Sequence, residues 1–265
     1  MNIKHIQALL LRHLYPLKRD FDLLSDMLYW PLVDTVLWGV TSQWMGEGSG
    51  TIQIASGILM GLILWNVIWR SQSEVSRNLM EELWNNNLVN MFSTGLSLKE
   101  WISAALLLSI FKMAITLSVL IPAVYLLYRV NILMLGWWVV VLFIGATMTG
   151  WWVGFVSSSV VIRFGPKMQT VIWTLPGILL PFSAVFFPVG KLPALLQPIA
   201  YLIPTTYLFE LMRSIVYQGT VSWESAATSL AISFGLNILY VSLAIWFFVR
   251  SFEYSRNLGL GRFSV

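Results

Sequence analysis

The chain has 265 residues, of which 57% are hydrophobic and only 11% charged, with a formal net charge of +4 and no cysteine. A soluble domain carries about 25% charged residues, so a soluble fold is excluded on composition. Without cysteine there is no disulfide framework, thiolate chemistry or cysteine metal site.

Taken in chain order, residues 1–27 form the first element. Ile3, Ile6, Leu10, Leu14, Leu17, Phe21, Leu24 and Leu28 recur at three- and four-residue spacing, with Lys4, Arg12, Arg19, Asp20 and Asp22 on other faces. The pattern predicts an amphipathic helix at the membrane interface, bent at Pro16. Two readings fit it: a plain membrane anchor, or an elbow that passes movement from a cytoplasmic partner into the first span. It is not a secretory signal, because Lys4, His5, Arg12, Lys18 and Arg19 interrupt the apolar core that a signal requires.

Six apolar stretches follow, at 28–45, 51–69, 101–127, 135–162, 169–188 and 225–249. Each approaches or exceeds the roughly 20 residues that cross a bilayer as a helix. Their continuity lacks the alternation of barrel strands. With the N-terminus inside, Lys4, Arg12, Lys18, Arg19, Arg70, Arg77, Lys99, Arg163, Lys167, Arg250, Arg256 and Arg262 fall on the cytoplasmic side, and only Arg129, Lys191 and Arg213 outside. The first outer loop, at 46–50, carries only Glu47. This bias predicts a multi-pass protein of the cytoplasmic (inner) membrane with both termini inside.

Residues 70–100 form the one long polar stretch between spans. Within it Leu79, Met80, Leu83, Trp84, Leu88 and Met91 repeat at helical spacing, with Glu81 and Glu82 on another face. A short helix with an apolar stripe and an acidic edge suits docking into a groove on a cytoplasmic protein; the plainer alternative is a solvated loop at the headgroups. Towards the other end, Pro188, Pro193, Pro198 and Pro204 cut an apolar run into pieces too short to cross a bilayer. The expectation for 189–223 is a re-entrant pair of short helices entering from the outer surface. Tyr207, Glu210 and Arg213 share a face there, and Glu210 with Arg213 is spaced for an ion pair. That pair is either surface decoration or, with Pro204, part of an extracytoplasmic gate. Together these elements predict an all-α membrane protein, a single transmembrane domain over 1–265.

The whole chain resembles the membrane subunit of a type 2 ABC exporter, the permease superfamily of drug, polysaccharide and lipo-oligosaccharide exporters. The likeness lies in the interfacial helix, six spans, the coupling loop between spans two and three, and the broken-helix segment before the last span. It rests locally on Glu74, Leu79-Met80-Glu81-Glu82-Leu83-Trp84 and Leu96-Ser97-Leu98-Lys99-Glu100. A second signature is Phe186-Phe187-Pro188, Leu192-Pro193, Leu196, Pro198, Pro204, Thr206-Tyr207 and Glu210-x-x-Arg213. Asn85-Asn86-Asn87 and Ser93-Thr94-Gly95 depart from the Thr/Ser-Pro turn that relatives often show. The resemblance implies a non-catalytic permease that couples to its ATPase through Leu79, Glu81, Glu82, Leu83, Trp84 and Leu88. It implies two cytoplasmic ATP-binding cassette subunits carrying ATP and Mg2+, no cofactor on this chain, and a second permease copy, identical or not. The cargo would be an amphiphile: a hydrophobic drug, a lipid-linked glycan or a polysaccharide.

Enzymatic readings lack residues. No Gly-x-x-x-x-Gly-Lys-Ser/Thr is present, and the only histidines, His5 and His13, lie on the interfacial segment. Nothing points to nucleic acid. The alternative is an ion-coupled secondary transporter, for which Asp34 and Lys112 are the intramembrane polar candidates. Fourteen Trp and nine Tyr suit an interfacial belt or a sugar platform; for Trp137, Trp138, Trp151 and Trp152 the belt is favoured.

Overall fold

A computed structural model describes residues 1–47 and 52–259. Part of the first outer loop (48–50) and Arg262 lie outside the described residues. The described chain is helical throughout and contains no strand.

Helix α1 (Ile3–Leu14) starts at an Asn2 cap whose side chain accepts the Lys4 N–H, and gives way to a 3-10 turn at Tyr15–Lys18 that contains Pro16. A short α2 (Phe21–Leu24), capped by Asp20, runs through a π-turn at Ser25–Tyr29 into α3 (Trp30–Glu47). Ile6, Leu9 and His13 form the buried face of α1, whereas Ile3 and Leu11 face outward. α1 is therefore held by the protein as well as by any membrane surface.

Helix α4 (Ile52–Trp84) is the first departure from expectation: the polar stretch that begins at Arg70 is not a loop but a continuation of the second apolar stretch. Arg70, Gln72, Ser73, Glu74, Ser76 and Asn78 are all buried. Ser73 and Ser76 bond back to the Arg70 and Gln72 carbonyls, and the charged groups find partners on other helices, so the polar run stays in the helix without needing water. α4 stops where Asn86 turns left-handed at φ 50°. Helix α5 (Leu88–Ser93) follows, then α6 (Leu98–Tyr128), which opens on a reciprocal capping box between Ser97 and Glu100.

Helix α7 (Trp138–Phe164) lies against α4 through small residues. A Cβ on Gly150 would stand 2.5 Å from the Ile68 carbonyl oxygen, and one on Gly154 would stand 2.8 Å from that of Gln72. This is the close backbone approach that a Gly-x-x-x-Gly face permits in membrane bundles. Gly165, at φ 96°, and Pro166 end α7.

The fifth apolar stretch, 169–188, is the second departure. Its helix, α8 (Val171–Leu179), has nine residues and passes into a 3-10 turn at Leu180–Phe182. Pro176 and Pro181 remove backbone donors from the run, and α8 by itself, about 13 Å long, is shorter than the hydrocarbon core, so any crossing here includes the turns on either side of it. Short pieces follow: α9 (Gln197–Tyr201), α10 (Pro204–Gln218) and then the long α11 (Trp223–Asn257).

Three helices, α6, α7 and α11, are long and apolar enough by length and composition to cross a membrane. Two apolar clusters fill the bundle. One centres on α4, α6, α7 and α10; the other, at the end where α5 lies, joins α1, α4, α5, α6, α7 and α11.

Candidate functional site

The residues singled out in the sequence fall into three places. The first is the end of the bundle closed by α1 and α5. Leu79, Leu83 and Leu88, read as an outward stripe, are 1%, 4% and 2% exposed and pack in the cluster that holds Ile6, Leu9, Trp101 and Phe248. Periodicity identified the face correctly but not its partner: α1, α6, α7 and α11 of the same chain cover it. The groups left outward are Trp84, at 58% exposed, Val89, and the polar Asn85, Asn86 and Asn90.

Glu82 is buried too. Its carboxylate accepts from Arg12 at 2.8 Å and from the Asn87 side chain at 2.8 Å. Glu81 remains partly open, facing His13 Nδ1 at 3.6 Å. Burial by itself would raise the Glu81 carboxyl; His13, followed by the charges of Lys112 and Arg77, outweighs it and holds the group below its ordinary range. Farther along α1, the Asn2 N–H and the His5 ring meet the carboxylate of Glu100, with His5 Nδ1 at 3.1 Å. Both ends of α1 are thus tied by charge to the α4–α5–α6 corner. That corner, α1 and α8 enclose an open cavity of about 610 Å³, lined among others by His13, Arg77, Glu81, Trp84, Lys112 and Trp173.

The second place is inside the bundle. Lys112 Nζ lies 2.7 Å from Glu74 Oε2, so this intramembrane lysine faces inward onto a carboxylate. Asp34, the other intramembrane candidate, is exposed on α3 and lines a separate cavity. Glu74 also faces Arg70 at 3.3 Å, and Arg70 reaches Asp26 at 2.8 Å, where Arg77 joins at 3.2 Å. Lys112, Glu74, Arg70, Asp26 and Arg77 therefore form one continuous ion-pair ladder across α6, α4 and the π-turn before α3. In the sequence Glu74 stands out only within the coupling motif, and Asp26 carries no mark of its own. The usable signal was Arg70 and Glu74 at i, i+4, embedded between small polar residues.

The third place is α10. Glu210 and Arg213 do pair, at 3.3 Å, but each also holds the broken segment. Arg213, 4% exposed, donates to the Ala184 carbonyl, where the chain turns at a positive φ of 56°. Glu210 accepts the Val189 N–H at 2.8 Å. The Tyr207 hydroxyl donates to the Tyr201 carbonyl at 3.0 Å, and the Pro204 carbonyl accepts from Ser233 at 2.8 Å. Tyr207, Glu210 and Arg213 fasten 184–203 to α10, and Pro204 ties α10 to α11.

Among the described residues no group of three or more His, Cys, Asp or Glu side chains could hold a metal ion. No family model matches the chain, and no curated protein does.

Proposed function

We propose that the chain is the permease subunit of an ATP-driven exporter of the type 2 ABC class, working as a dimer of permeases with two cytoplasmic ATPase subunits. In this reading six segments (α3, the first part of α4, α6, α7, the α8 region and α11) lie in the cytoplasmic membrane with both termini inside. The segment 189–223 lies at the outer face. ATP and Mg2+ belong to the partner, and the cargo is an amphiphile.

The observation that carries the proposal is the α4–α5–α6 corner. Its interior is locked to α1 by Arg12–Glu82 and by the contacts of Asn2 and His5 with Glu100, while Trp84, Val89 and three asparagines face outward. A partner seated on that exterior would act on α1, α4 and α6 together, because Arg12–Glu82 and the Glu100 contacts join them. Docking then falls to Trp84 and its neighbours, with Leu79, Leu83 and Leu88 holding the platform rigid. Glu81 opens onto the cavity beside it.

The ion-coupled alternative draws on Asp34 and Lys112. Lys112 is committed to Glu74, a carboxylate already shared with Arg70, and Asp34 by itself offers fewer oxygen ligands than a dehydrated metal cation takes. Proteoliposomes containing the chain and an ATPase encoded beside it decide between the two. The exporter reading expects amphiphile flux on addition of ATP in the absence of any ion gradient. Flux driven by a proton or sodium gradient and indifferent to ATP would overturn it.

A further inference from the structure

A second cavity, of about 350 Å³, opens between α3 and α4 and is lined by Trp30, Asp34, Trp65, Asn66, Trp69 and Asp26, with Pro31 at its edge. The residues come in two i, i+4 pairs: Trp30 with Asp34 on α3, and Trp65 with Trp69 on α4. Side chains at that spacing share one helix face, so the two helices present three indoles and a carboxylate to the same space.

The charge of this space is uncompensated. Asp26 is neutralised by Arg70 and Arg77. No hydrogen bond or ion pair reaches the Asp34 carboxylate among the described residues, and the cavity is lined by no Lys, Arg or His. The cations that could have served it are committed along the ladder to Asp26 and Glu74. The Asp34 carboxylate is exposed on α3 and unpaired, so it stands open to a ligand of opposite charge.

We propose that this cavity is a receptor for an alkylammonium-type cation, the charged end of an amphiphile. The carboxylate supplies the counter-charge, and the three indole rings supply the cation–π surface that a cation with an apolar skin requires. The same lining disfavours other occupants. A metal ion needs more oxygen ligands than one free carboxylate provides, and an anion meets two carboxylates. Trp30 is 57% exposed, so the mouth lies beside it and the hydrocarbon part of the ligand leaves over that ring. The cation has two sources, a transported amphiphile or a resident phospholipid headgroup. The proposal adds a charge preference to the exporter reading, but binding requires no ATPase and is measured without one.

The test uses the full chain in nanodiscs of phosphatidylglycerol, a lipid without an ammonium group, titrated with benzyltrimethylammonium and read by tryptophan fluorescence. Empty discs and the neutral isostere neopentylbenzene serve as controls. Wild type gives a saturable signal with the cation and none with the isostere. Asp34→Asn weakens binding tenfold or more, Asp34→Glu retains most of it, and Trp30→Leu, a change at an exposed ring, weakens it several-fold. An unsaturable wild-type titration, equal response to the neutral isostere, or unchanged affinity in Asp34→Asn overturns the proposal. Repeating the titration in phosphatidylcholine discs assigns the source. Loss of probe binding there, with lipid retained by wild type and lost by Asp34→Asn in native mass spectrometry, supports a headgroup site. Undiminished probe binding supports a site for a passing amphiphile.

Discussion

Glu74 offers the sharpest perturbation in the molecule, because it serves two cations at once. At 2.7 Å and an effective dielectric constant of about 20, the Lys112–Glu74 attraction is about 6 kcal/mol before desolvation is subtracted. The Arg70–Glu74 contact at 3.3 Å comes to about 5 kcal/mol on the same basis. Net values are far smaller, but the asymmetry survives. Glu74→Gln strands the Lys112 ammonium, which is 1% exposed, whereas Arg70 keeps Asp26. Breaking one side of a buried pair costs about 3–5 kcal/mol, and the opening of the 610 Å³ cavity beside Lys112 favours the lower end. Lys112→Met leaves Glu74 paired with Arg70 and removes one charge-assisted hydrogen bond, about 1.5–3 kcal/mol. The double variant removes the stranded charge and should be no less stable than Glu74→Gln alone. Thermal unfolding of the detergent-solubilised protein, followed by size-exclusion chromatography, ranks the variants. A Glu74→Gln protein at least as stable as Lys112→Met, or a double variant whose loss equals the sum of the single losses, refutes the ladder.

Other expectations follow from burial and contact. Gly150→Leu forces a side chain against the Ile68 carbonyl and the Ser71 side chain and should destabilise the fold by at least about 1–3 kcal/mol, seen as a lower unfolding midpoint; Gly177→Leu, where an added Cβ meets nothing, should not. Arg213→Gln leaves the Ala184 turn without its donor and should lower the midpoint more than Glu210→Gln, whose side chain is 36% exposed; equal effects would return the pair to a surface role. Leu83→Asp buries a carboxylate and should reduce folded yield, whereas Trp84→Asp should purify like wild type and lose its ATPase partner in co-purification.

Much of this architecture is legible in the sequence, and the misses share a physical cause. Apolar runs and proline positions identify helices and breaks: the prolines between 188 and 204 do separate short pieces. Pro176 and Pro181 carried the same signal within 169–188, but the apolar count masked it. Helical spacing places Leu79, Leu83 and Leu88 on one face, yet a face can be covered by another protein or by the chain itself, and spacing does not distinguish them. Charges behave similarly. A polar run between apolar stretches looks solvated until Arg70, Glu74 and Lys112 are seen to neutralise one another across two helices.

The central claim is that the outer surface of the α4–α5–α6 corner receives an ATPase. Site-specific photo-crosslinking in native membranes tests it most directly, with a photoreactive residue at Trp84 or Val89 and, as a control, at Leu195 in the 189–223 segment, which is 89% exposed. The account predicts that the two corner positions capture a protein with a nucleotide-binding cassette sequence and that the Leu195 position does not. Capture of that ATPase from Leu195, or of lipid alone from Trp84 and Val89, would contradict it.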